Sequence, residues 1–135
     1  MKINAKRIGF NKPFNIKPSV KNYTKANEML IKVLKLSANQ TRDATLQPDN
    51  PKYADFILKT VEQEQSVISD GLQFLQEIFK LNDKQVEHVE ESIPGINEFA
   101  NYLSYVIQRI KGMSDGQIKT ETEKERKRQN QDPKK

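Results

Sequence analysis

The side chains best suited to chemistry gather around His88, the only histidine of the chain, with Asp83, Glu87, Glu90 and Glu91 close by in sequence. An imidazole beside carboxylates could hold a metal ion or act as a general base. The spacing argues against both. Helical geometry spreads these positions around a surface instead of converging them, and a transition-metal site normally recruits a second imidazole or a thiolate. The chain has no cysteine, which removes thiolate zinc sites, thiol nucleophiles and disulfides together. Its five glycines are isolated from one another, so no phosphate-cradling loop is present, and one histidine cannot support a Ser-His-Asp argument. The expectation is a protein with no catalytic centre, no metal and no cofactor. His88 then sits on an exposed acidic helix.

Two further groups invite a functional reading. Residues 1–27 carry seven Lys or Arg and no acid, with Phe10 and Phe14 interleaved. Lysines can neutralise phosphates and exposed aromatics can stack on single-stranded bases. Residues 28–118, however, carry nine basic and fourteen acidic groups, and residues 119–135 seven and four. The basicity thus belongs to the two ends of the chain, and no helix presents a basic face. Nucleic-acid binding is disfavoured, with the phenylalanines expected to pack inward while the lysines stay in water. Glu64 is the second group, a carboxylate within an apolar stripe. An unpaired buried charge is costly, so Glu64 must lie at a rim, meet a cation, or mark where the stripe leaves its own core and faces a partner.

The stripe that contains Glu64 runs through residues 50–81 and organises the chain. At helical pitch Tyr53, Phe56, Ile57, Val61, Val67, Ile68, Leu72, Phe74, Leu75, Ile78, Phe79 and Leu81 share one side, opposite Lys52, Asp55, Lys59, Glu62, Asp70, Gln73, Glu77 and Lys80. Asn50-Pro51 is a suitable start. The phase continues across Gly71, which predicts one helix over 51–81, bent or weakened near Ser69-Asp70-Gly71 and about 46 Å long. That is long for a 135-residue domain, and its apolar face should need more than its own chain to cover it.

The other elements follow from similar signals. Pro18-Ser19 opens a first helix over 20–36, followed by a polar loop over 37–50 that is expected to be mobile. Asn82 with Gln85 forms a capping-box pattern before a short helix over 83–91. Ser92-Ile93-Pro94-Gly95 interrupts it, and Ile96, Phe99, Leu103, Val106 and Ile110 mark a last helix over 96–111 with Gly112 as its cap. The fold class is therefore all-α, about four helices including one long amphipathic one. Three regions result: a basic arm over 1–18, irregular or a short hairpin; a helical domain over 19–113; and a charged tail over 114–135, expected to be disordered. No apolar run is long enough to span a membrane, and no secretory h-region is seen.

The run IKPSVKNYTKANEMLIKVLKLS and the helix-break-helix pattern LQFLQEIFKLNDKQVEHVEES resemble the small tail assembly chaperones of long-tailed phages of Gram-positive bacteria. That resemblance implies a non-enzymatic, mainly helical protein of the bacterial host cytoplasm. Its partner would be the tape measure protein, whose long helices it coats and keeps soluble until tail tube subunits polymerise, with the tube protein as a further candidate partner. A homo-oligomer is expected from the surplus of apolar helix face. The alternative is a small phage or plasmid nucleic-acid-binding or host-regulator helical protein. Partner contacts are expected at Phe74, Ile78 and Leu81 of the long helix and at Tyr102, Tyr105 and Ile107 of the last. Those wide faces would serve equally well as the filling of a monomer core.

Overall fold

The structure, a computed structural model, describes residues 1–42 and 47–130. Its spine is α2, Tyr53–Phe79, a single uninterrupted helix of 27 residues and about 40 Å. Gly71 neither breaks nor ends it. A Cβ at that position would lie 2.7 Å from the Phe99 ring and 2.8 Å from Leu103, so the missing side chain lets another helix cross closely. Lys80 ends α2 in the left-handed region at φ 57°, its N–H bonded to the Gln76 carbonyl. Asn82 then starts α3, Asp83–Ser92, with the expected capping box: Gln85 N–H donates to Asn82 Oδ1 at 2.8 Å, and Asn82 N–H to Gln85 Oε1 at 2.9 Å.

Helix α1, Val20–Arg42, lies antiparallel to α2. The ion pairs Lys25–Glu77 and Lys32–Asp70 fix their register, because seven residues forward on one helix match seven backward on the other. The Lys32 ammonium holds the Asp70 carboxyl below its ordinary range, mainly through their hydrogen bond. Ser19 Oγ caps α1 by accepting the Asn22 N–H at 3.1 Å. The helix outlasts its expected end at residue 36 because Ser37–Arg42 contains no glycine or proline to stop it. What remains of the expected 37–50 loop includes residues 43–46, outside the described residues, as are 131–135 of the tail. Helix α4, Ile96–Ile110, packs on both α1 and α2. Gly112 at φ 105° takes the chain away from its end.

The N-terminal arm is a hairpin laid on these helices. Strand β1, Lys2–Ile3, pairs antiparallel with β2, Phe14–Asn15, with Ile3 opposite Phe14. A 3-10 turn over Lys6–Ile8 lies between them. So short a ribbon cannot be stable alone; burial of Ile3, Ala5, Ile8 and Ile16 in the common core holds it. Phe14 stacks on Phe79 at 4.5 Å, and Phe10 meets the edges of Phe14 and His88. The tyrosines of α4 fasten the arm by their hydroxyls. Tyr102 donates to the Asn4 carbonyl at 2.6 Å, and the Asn4 N–H donates to Tyr105 at 3.2 Å. The Arg7 guanidinium lies over both rings.

Residues expected as a disordered tail carry a fifth helix, α5, Asp115–Asn130. Its start has the reciprocal bonds of a capping box between Ser114 and Gln117, and its alternating Lys and Glu supply helix-compatible pairs. It has no apolar stripe, and Ile118 is its one buried side chain among the described residues. That is why apolar periodicity does not reveal it.

Burial pushes the Tyr102 hydroxyl well above its ordinary range, with Tyr105 adding to the effect. Tyr105 shifts upward too, again chiefly by burial. A raised phenol pKa means that the folded chain retains protons the unfolded chain releases. The resulting stability is complete below the unfolded tyrosine value of about 10 and is lost as pH rises beyond it. Thermal melts taken on either side of that pH should show a falling midpoint. In Tyr102→Phe, which has no proton to release, the fall should be shallower.

Candidate functional site

Among the described residues, no group of three or more His, Asp or Glu converges as a metal site, and no helix is long and apolar enough to cross a membrane. His88 is exposed, and its Nε2 donates to the Gly9 carbonyl at 2.7 Å. A Cβ on Gly9 would fall 2.5 Å from that ring and 2.4 Å from Ser92 Oγ, and its φ is +93°. The histidine is thus a structural fastener between α3 and the arm. The arm's phenylalanines pack against Phe79 and His88, which leaves no free aromatic ladder for bases.

The six residues expected to contact a partner lie inside the molecule. Phe74, Ile78, Leu81, Tyr102, Tyr105 and Ile107 are all buried, Tyr102 and Ile107 at 1% exposure. They fill the core, the other use open to those wide faces, for a specific reason. The surplus apolar face of α4 is covered by the arm, and the face of α2 beyond Val67 is covered by α1, α3 and α4. The arm's contacts with α4 join residues about a hundred positions apart, as Asn4 and Tyr102 do, those onto α2 join it to other helices, and periodicity within one helix carries no sign of either.

The apolar surface that does reach solvent lies elsewhere. Every buried residue of α2 falls between Val67 and Phe79. The preceding 14 residues of the helix, Tyr53–Ser66, include no buried side chain, and there Ile57, Leu58 and Val61 are 40%, 59% and 53% exposed. Helix α1 adds exposed Ile31 and Leu34, and Val20 and Tyr23 nearer its start. Ile57 and Val61 were visible in the sequence as members of the long stripe. Nothing in their spacing distinguished them from Phe74 or Ile78, which continue that stripe inside the core.

Glu64 stands at the boundary. It is half-buried and has no ion-pair partner among the described residues. Three residues later Val67 begins the core. Of the three roles open to this carboxylate, a cation in the core is excluded and the rim position holds. Just beyond it, Ile68 and Leu72 of α2, Val89 of α3, Ile93, and Ile96 and Phe99 of α4 line an apolar cleft of about 180 Å³.

The fold and this surface define an all-α protein whose exposed feature is an apolar helix face, without a cluster of catalytic groups among the described residues. Consistent with that class, the family model for phage tail assembly chaperone proteins matches residues 1–125, and the chain belongs to that family. No curated protein and no solved structure matches it.

Proposed function

We propose that this chaperone coats helical segments of the phage tape measure protein in the host cytoplasm and keeps them soluble until the tail tube polymerises around them. The role is binding, without catalysis, as membership of the family implies. One observation carries the reading: α2 continues for 14 residues beyond the core with Ile57, Leu58 and Val61 in solvent. A chain gains nothing for its own stability by exposing such a face, whereas amphipathic helices associate through apolar surfaces of this kind. Each large side chain covered by a partner contributes about 1.5–3 kcal/mol before ordering costs. Several copies along one long partner would convert weak contacts into durable coating. We accordingly place the contacts on the exposed half of α2 and the outer face of α1, and expect copies of the chain to associate. The tube protein is the partner to which the tape measure would be handed.

Co-expression with the tape measure protein tests the proposal. The large partner should move from the insoluble to the soluble fraction and co-purify with this chain. Equal insolubility of the tape measure with and without it would end the proposal.

A further inference from the structure

The exposed apolar face does not stop at the core. Ile57, Val61, Glu64, Ile68 and Leu72 follow one another at three- or four-residue intervals and so share one side of α2. The first two are exposed and the last two line the cleft between α2, α3 and the start of α4. The face therefore runs from the free half of α2 into a recess, with Glu64 as its one charged member. At about 180 Å³ that recess is below the ordinary small-molecule range of about 300–1,000 Å³. It suits the insertion of a bulky apolar side chain.

The chain segments that form it are predominantly acidic. Residues 62–98 hold nine carboxylates against Lys80 and Lys84. Asp70 and Glu77 are neutralised by lysines of α1. Glu62, Glu64, Glu87, Glu90, Glu91 and Glu98 have no ion-pair partner among the described residues. Glu90 itself lines the cleft, and Glu64 lies on the path into it. We infer that this cleft receives an amphipathic helix of the partner whose apolar anchor residue is flanked by Lys or Arg. Apolar anchoring supplies the affinity. Glu90 and Glu64 select the charge of the flanks and thereby the segments that bind, since like charges across such a contact repel. The inference rests on the chaperone reading above and adds to it the chemistry of the segment that is recognised.

The test uses the full chain and two synthetic helical peptides with the same apolar stripe, one flanked by lysines and one by glutamates, followed by fluorescence anisotropy. The lysine peptide should bind roughly fivefold to tenfold more tightly at low salt, the difference shrinking as salt rises. Combined Glu64→Lys and Glu90→Lys should reverse the preference while leaving the helical circular dichroism unchanged. Equal binding of the two peptides, binding of neither, or a preference that survives the reversal overturns the inference. If the reversal instead abolishes self-association and neither peptide binds, the cleft belongs to a second copy and the inference again fails. Each of these failures leaves solubilisation of the tape measure standing as a separate result. Loss of that solubilisation with the peptide preference intact would remove the chaperone reading and keep the recognition chemistry.

Discussion

Replacing Ile57, Leu58 and Val61 together with glutamine should leave the chain folded and abolish its recovery with the tape measure protein. All three are at least 40% exposed, and glutamine is a good helix former, so stability should change by no more than about 0.5 kcal/mol per site. Binding should suffer far more. If each residue supplies even 1.5 kcal/mol to a partner contact, removal of all three weakens it about a thousandfold or more. Melting temperature and co-purification measured on the same preparation give the answer. A triple variant that melts normally and still carries the tape measure into solution would show that the contacts lie elsewhere.

The opposite behaviour is expected of the buried face. Leu103 is fully buried beneath Gly71, where α4 crosses α2. Leu103→Ala should cost about 2–5 kcal/mol and lower the melting temperature by roughly 10 °C. Any loss of partner should follow the loss of folded protein and disappear at temperatures where the variant remains native. Phe74→Ala and Ile78→Ala should behave likewise, since both belong to the same core. A partner defect without destabilisation at these positions would return them to the contact surface.

Signals carried within a few residues were legible in the sequence. The Asn82–Gln85 box, Gly112 after the last helix and the continuous phase of α2 across Gly71 each rest on local geometry. The structure places α3, the end of α4 and one long helix close to the bounds expected from them. The division of a stripe between core and surface could not be read in that way. Ile57 and Ile78 have the same chemistry and the same helix; only the packing of other elements around one of them separates their fates. Tyr102 and Tyr105 make the same point, because their burial depends on Asn4 and Arg7. Helix α5 lacked a signal of another kind, having no apolar period to detect. Glu64 was the one local residue that marked the boundary, as a charge placed where the stripe ceases to serve the core.

The arm's position has a consequence for biosynthesis. Ile3, Ala5, Ile8 and Ile16 are made first, but the α4 tyrosines that fasten the arm are about a hundred residues away. The α1–α2 hairpin can close as soon as its second helix emerges, its register set by Lys25 and Lys32. The arm must remain undocked until α4 has left the ribosome, at about 5–20 residues per second. A late step of folding therefore joins a segment made early to one made well after it. A nascent chain of which only residues before 96 have emerged should hold a formed hairpin and a protease-sensitive arm.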